Sequence, residues 1–302
     1  MNEVDVKVNS LKAWILASRP KTLSGAAVPV MIGTALAMRD ASFDIRIVPA
    51  VLCFLFAFLM QIDANLVNDY FDYVKGTDDE NRLGPKRACA QGWITEKAMR
   101  RGMALTTVLS CMVGLPLVVY GGWHMIVVGA VCVAFCFLYT TCLSYMGLGD
   151  VLVLLFFGFV PVCLTYYLDM PSGAPLFSQE VVWTSLACGL VIDTLLVVNN
   201  YRDIDNDRRS GKKTLVVRIG ARASEKLYLG LGLTACISSF ILFYDRSMWA
   251  AFLPLVYLAM HISTYREMIR IRKGSELNRV LGKTARNMFV YGLLQSVGLI
   301  IA

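Results

Sequence analysis

The chain has 302 residues, 57% hydrophobic and only 17% charged, with mean hydropathy +0.58. Soluble domains carry about 25% charged residues, so a water-soluble globule is excluded and the charges must crowd into short segments. The net charge of +7 follows from that crowding and gives no case for nucleic-acid binding.

Apolar runs recur at 22–38, 47–62, 103–120, 125–143, 151–168, 181–198, 227–244, 248–262 and 288–302. Roughly 17–25 apolar residues cross a bilayer as a helix, and backbone in lipid must be satisfied internally. The expectation is an all-α integral membrane protein with nine transmembrane helices in one domain, 1–302. The second, eighth and ninth runs are short and must extend through less apolar ends. The first imitates a cleavable signal, with "ALA" at 35–37 after a basic stretch. Its basic region is long and Pro29 interrupts it, so we read it as a span.

With the N-terminus cytoplasmic, the inside segments 1–21, 74–101, 144–150, 202–226 and 266–286 hold all but three of the 29 Lys and Arg residues. The three outside are Arg39, Arg46 and Arg246. That asymmetry fits the positive-inside rule and places the protein in the cell (inner) membrane with its basic loops cytoplasmic. Nine cysteines without a CxxC pair read as small buried hydrophobes. His124 and His261 lie too far apart in sequence to suggest a His-based metal site.

Two helix ends carry the chemistry. "NLVNDYFD" (65–72) follows an apolar run, and Asn65, Asn68, Asp69 and Asp72 stand at i, i+3, i+4 and i+7, on one helical face. A charge at the bilayer centre costs about 2.5–3.5 kcal/mol on the insertion scale, so a plain polar cap explains them poorly. "NNYRDIDNDRRSGKK" (199–213) repeats the pattern, with Asn199, Asp203 and Asp207 at i, i+4 and i+8 followed by four bases. The shared NxxxD spacing, four spans apart, suggests a duplicated four-helix unit. Carboxylate and amide oxygens suit hard divalent cations, and Mg²⁺ is held by one or two carboxylates plus substrate phosphates. Adjacent bases complete phosphate neutralisation. The implied ligand is a diphosphate bridged by Mg²⁺ between the helix ends, its hydrocarbon in an apolar cavity; a polyprenyl diphosphate has that shape.

"NLVNDYFDYVKGTD" and "NNYRDIDNDRRSGKKTLVVRIG" closely resemble the two signatures of the UbiA-type intramembrane prenyltransferases, and most of all its dihydroxynaphthoate-prenylating branch. "RPKTLSGAAVPVMIG" (19–33), "RLGPKRACAQGWIT" (82–95) and "LNRVLGKTARNMFVYGLL" (277–294) support that branch. "YTTCLSYMGLGD" (139–150) departs from the family's Gly- and Pro-rich pattern there, which puts that loop's contacts in question. The resemblance implies nine helices around a central cavity and transfer of a prenyl chain from polyprenyl diphosphate to 1,4-dihydroxy-2-naphthoate. Diphosphate and CO₂ leave, giving demethylmenaquinol, with Mg²⁺ (two ions) bridging the diphosphate. It implies Asn68, Asp72, Asn199, Asp203 and Asp207 as metal ligands, with Asn65 as a substrate contact. Position 76, where the family carries its third acid, is Gly76, and the nearest acid is Asp78. Asp69 and Asp78 are candidate proton acceptors. Arg82, Lys86 and Arg87 are candidates for binding diphosphate or the acceptor's carboxylate, with Arg202 and Lys212 extending that set. Tyr139, Phe156 and Tyr166 are candidate cavity aromatics. The alternatives are another acceptor, such as 4-hydroxybenzoate or a heme, and a cation-coupled transporter. Bases beside acidic helix ends favour the enzyme.

Overall fold

The computed structural model describes residues 6–76, 82–171, 175 and 178–301. Among these it is helical, with no strand. A short helix α1 (Leu11–Ser18), capped by Ser10, leads through a turn at 20–22 into α2 (Leu23–Asp40), which carries Pro29. α3 (Ile47–Val74) follows, then α4 (Glu96–Gly114), a Pro116 turn and the short α5 (Val118–Gly121). α6 (His124–Thr141) runs into a turn at 143–146. α7 (Gly149–Val153), a π-turn at 154–159 and α8 (Val160–Asp169) form one span. α9 (Gln179–Arg202), α10 (Ile204–Arg209) and α11 (Leu215–Ile219) are followed by α12 (Ala221–Phe243). α13 (Met248–Phe252), α14 (Pro254–Ile271) and α15 (Leu277–Ile300) complete the chain.

Eight helical segments among the described residues are long and apolar enough to cross a membrane; this is a multi-pass membrane protein. The ninth expected span lies in α15, which is as long as the others. Its first half carries Arg279, Lys283 and Arg286, so it falls short on composition. Lys283 and Arg279 pair with Glu267 of α14 at 2.5 Å each. Of the three bases outside the basic segments, Arg39 and Arg246 meet on Glu180 at one end of the bundle.

Small residues and polar pins set the packing. A Cβ on Gly158 would lie 2.8 Å from the Ser185 carbonyl and 3.0 Å from the Gly189 Cα, so the π-turn presses directly on α9. Within α3, Asp63 is fully buried and accepts hydrogen bonds of 2.6 Å from both Thr106 and Thr107 of α4. His261 is packed between Tyr228 and Tyr257 and bonded to the Tyr228 carbonyl. All nine cysteines are free. The helices enclose a cavity of about 1370 Å³ that runs from the ends of α3 and α9 into the apolar interior at Phe56, Leu117 and Leu168.

Candidate active site

The two acidic helix ends meet at one mouth of this cavity. Asn68, Asp72, Asn199, Asp203 and Asp207 all line it, as do Arg82, Lys86, Arg87, Tyr139, Arg202 and Lys212. Asn65 and Asp69 do not. Asp78 lies outside the described residues.

The face shared by the four polar residues of α3 is split by the cavity edge. At about 100° per residue, Asn65 and Asp69 fall on one side of that arc and Asn68 and Asp72 on the other. Asn65 turns away from the cavity: its side-chain amide donates to the Ser18 carbonyl and to Thr22 Oγ1, both at 2.9 Å. It is a pin for the amino-terminal segment, which corrects the expectation of a substrate contact. Asp69 is buried and accepts from the backbone N–H groups of Ala88 and Cys89, both at 2.9 Å. Those bonds fix the end of the 82–89 loop, and Asp69, expected as a proton acceptor, lies off the cavity lining.

On the cavity side, Thr140 Oγ1 donates to Asn68 Oδ1. Asp72 faces Lys212 Nζ and an Arg87 guanidinium nitrogen, each at 3.5 Å. Lys212 and Lys75 both stand over the Tyr145 ring. Burial works against the Lys212 ammonium, but Asp72 and Asp207 outweigh it and hold its pKa above the ordinary lysine value.

The α9 end is built differently. Arg202 grips Asp203 with two bonds of 2.8 and 2.5 Å, donates to Asn199 Oδ1 at 3.0 Å and to Asn278 Oδ1 at 2.8 Å. Asn278 in turn donates to the Leu83 carbonyl at 2.7 Å. Arg202 lines the cavity, and four hydrogen bonds within the protein hold its guanidinium against Asp203, Asn199 and Asn278. Gly84 makes room for this: a Cβ there would lie 2.8 Å from an Arg202 nitrogen and 3.3 Å from Arg82. The departing loop is stitched down as well. Gly147, at φ +75°, lets the turn approach the Lys213 carbonyl, and Arg218 donates to the Met146 carbonyl at 2.6 Å.

No three carboxylate, His or Cys side chains converge as a ready metal cage among the described residues. Mg²⁺ is typically held by one or two carboxylates together with substrate phosphates. The donor set fits such an ion: Asp207 is buried, and desolvation, with Asp203 and Asp72 adding to it against Lys212, pushes its pKa up to about 6. A divalent cation would relieve that crowding of negative charge. Sequence reading missed Asn278, Lys21 and Asp150, all on the cavity wall. All three lie within the quoted stretches 277–294, 19–33 and 139–150, but their roles depend on contacts between distant segments. Of the three aromatics, Tyr139 and Phe156 line the cavity, while Tyr166 instead donates to Asp40 at 2.9 Å.

The chain resembles known proteins over nearly its whole length. The 1,4-dihydroxy-2-naphthoate octaprenyltransferase of Escherichia coli is 33% identical, covering 98% of this chain and 97% of that protein. The protein of the same name from Mycobacterium tuberculosis is 33% identical, over 94% and 95%. The structure of a UbiA homolog from Archaeoglobus fulgidus bound to DMAPP and Mg²⁺ superposes with a TM-score of 0.62 at 14% identity, over 94% of this chain and 99% of that one. The sequence profile of the UbiA prenyltransferase family matches residues 26–293: this chain is a member of that family.

Proposed function

We propose that this protein is a Mg²⁺-dependent aromatic prenyltransferase that moves a polyprenyl chain from its diphosphate to 1,4-dihydroxy-2-naphthoate. Diphosphate and CO₂ are released and demethylmenaquinol forms. One observation carries the reading: two oxygen-rich helix ends and their cations converge on the mouth of an otherwise apolar cavity of about 1370 Å³. Similarity at 33% identity, over nearly the whole chain, to proteins named 1,4-dihydroxy-2-naphthoate octaprenyltransferase supports the acceptor. We read residues 1–302 as a single prenyltransferase domain in the inner membrane, its basic loops cytoplasmic.

Asp72 and Asn68 on one side, and Asp203, Asp207 and Asn199 on the other, would hold divalent metal, two ions in our reading. Bound there, the metal supplies charge stabilisation to the leaving diphosphate. Lys212 and Arg87, already beside Asp72, add positive charge where negative charge develops. Arg202 keeps Asp203 aimed. As the allylic C–O bond breaks, its electron pair leaves with the diphosphate, and the apolar walls keep water from the allylic cation. The electron-rich ring then attacks that carbon. Lys21 lines the wall and its ammonium has no side-chain partner among the described residues. We assign it the acceptor's carboxylate.

The test is an assay of purified membranes with Mg²⁺, a panel of prenyl diphosphates and several aromatic acceptors, read by mass spectrometry. A prenylated, decarboxylated naphthoate is expected. Transfer to 4-hydroxybenzoate and none to the naphthoate would reject the assignment. Orientation is tested with a Ser275→Cys reporter on a cysteine-free background: in intact cells an impermeant reagent should miss it.

A further inference from the structure

Asp150 stands in the first turn of α7, at the end of the departing "YTTCLSYMGLGD" stretch and outside both acidic helix ends. It lines the cavity yet is only 8% exposed, and its Oδ1 has no hydrogen-bond partner. Behind it, Asp193 of α9 is 2% exposed, also with an unpartnered Oδ1, and within electrostatic reach of Asp150. The two helices pack closely here, since a Cβ on Gly149 would lie 3.3 Å from Leu196, three residues past Asp193. Asp193 is the acid electrostatically linked to Asp150, and Tyr139 of α6 stands beside Gly149. The nearby cations serve the preceding turn: Arg218 packs against Gly147 and bonds to the Met146 carbonyl, Lys75 and Lys212 stand over the Tyr145 ring, and none bonds to Asp150 Oδ1. Gly149 stands beside Leu196, and Leu196 lies seven residues before Asp203 along α9, about 10 Å of helix, which sets Asp150 on the interior side of that acidic end.

A buried carboxylate oxygen left without a donor beside a cavity is costly unless something there donates to it. Neither substrate anion qualifies. A prenyl diphosphate carries no donor and would repel Asp150, and so would the naphthoate's carboxylate. The donors that the substrates bring are the two ring hydroxyls of the acceptor. We propose that the Asp150 carboxylate, backed by Asp193, is the proton acceptor for a ring hydroxyl of the aromatic substrate. It thereby takes the role first expected of Asp69, whose carboxylate is bonded to two backbone N–H groups off the cavity lining.

The step balances. The hydroxyl proton passes to a carboxylate oxygen of Asp150, and the oxygen's electron density activates the ring. The ring carbon that bears the carboxylate forms a C–C bond to the allylic cation left when the C–O bond to diphosphate has broken. The bond to the ring's carboxylate then breaks, CO₂ leaves, and its electron pair restores aromaticity. No ring proton has to be removed, and Asp150 returns its proton to the oxygen.

The inference rests on the proposed naphthoate reaction, so the wild-type enzyme is tested first. If it does not prenylate the naphthoate at all, the functional reading fails. If it does, Asp150 is on trial. Asp150→Asn should lower kcat roughly 100-fold or more, the usual weight of a general base. The KM for prenyl diphosphate should stay unchanged, and a ring-fluorinated naphthoate with more acidic hydroxyls should recover part of the rate. Normal kcat, or no benefit from fluorination, overturns the proposal. A second test needs no variant. With wild type, the acid limb of kcat/KM should stay in place when the fluorinated acceptor replaces the natural one, because the enzyme's carboxylate sets it. A limb that moves with the acceptor's own acidity would mean that the acceptor ionises unaided, and Asp150 would have no part in it.

Discussion

The ends of α3 and α9 carry the same NxxxD spacing but are held in opposite ways. Asp203 is gripped by its own neighbour Arg202, which is 1% exposed at the side chain. Asp72 is held at 3.5 Å by Lys212 and Arg87, which arrive from loops distant in sequence. The α9 end is therefore formed once its helix and Asn278 are in place. The α3 end exists only when two separate basic loops close over it. The same letters thus describe one preorganised site and one assembled site. Substitutions should separate them.

The largest effects belong to the two acids. Asp72→Ala and Asp203→Ala should each lower kcat by roughly 10²–10³, the range for removing a group that stabilises developing charge, and EDTA should silence the wild type. Stability should divide them. Asp203→Ala strands a buried guanidinium, a loss of about 3–5 kcal/mol, whereas Asp72→Ala leaves two partly exposed cations that can turn to water. Thermal unfolding in detergent checks this, and a larger Tm drop for Asp72→Ala would reverse the comparison.

Next come the residues of α3 that the cavity edge excludes. Asp69→Ala leaves the Ala88 and Cys89 N–H groups buried without an acceptor, at about 1–3 kcal/mol each. It should loosen the 82–89 loop, raise the KM for prenyl diphosphate and admit protease cleavage there. Turnover should stay well above that of Asp72→Ala. Equal loss in both would return Asp69 to the chemistry.

The fold and the two acidic ends were legible because hydropathy, charge placement and the NxxxD spacing are all local signals. The division of labour along α3 was not. Helical periodicity places Asn65, Asn68, Asp69 and Asp72 on one face, but only the packing of α1 and the 82–89 loop decides where the cavity edge cuts that face. Arg202 shows the same limit: a base beside an acid reads as a phosphate ligand until Asn278, 76 residues away, is seen to share its guanidinium. Asp150 carried no periodic partner and no spacing, and its meaning lies in an unpaired oxygen.

A smaller effect concerns pH. Burial, with Asp203 and Asp72 adding to it, pushes Asp207 up to about 6, so below that pH it holds a proton where the metal would bind. Metal and proton compete, and the Mg²⁺ concentration needed for half-maximal rate should rise as pH falls through about 6 and be flat above it. Mg²⁺ titrations between pH 5 and 8 measure this. Asp207→Asn should remove the slope along with most of the activity, and a wild-type requirement independent of pH would exclude Asp207 from the metal site.

The smallest expected effect separates the two substrates. The acceptor brings a carboxylate to a mouth already lined with acids, so some cation must offset the repulsion. Arg87 is one candidate, but the structure sets it 3.5 Å from Asp72, on the diphosphate side. Lys21 stands on the turn pinned through Thr22 to Asn65. Asn65 lies seven residues before Asp72, which is about 10 Å deeper along α3. A ring reaching the allylic carbon from below the diphosphate would bring its carboxylate to that level. Lys21→Ala should therefore raise the acceptor's KM about fivefold, near the ~1 kcal/mol expected of a partly exposed charge pair, with kcat and the KM for prenyl diphosphate unchanged. Arg87→Ala should do the reverse and raise the prenyl diphosphate KM, because a uniform-binding contact shows in the KM of the ligand it touches. If Arg87→Ala weakens the acceptor and Lys21→Ala weakens nothing, the carboxylate belongs on the 82–87 loop, and the α3 end would assemble around both substrates at once.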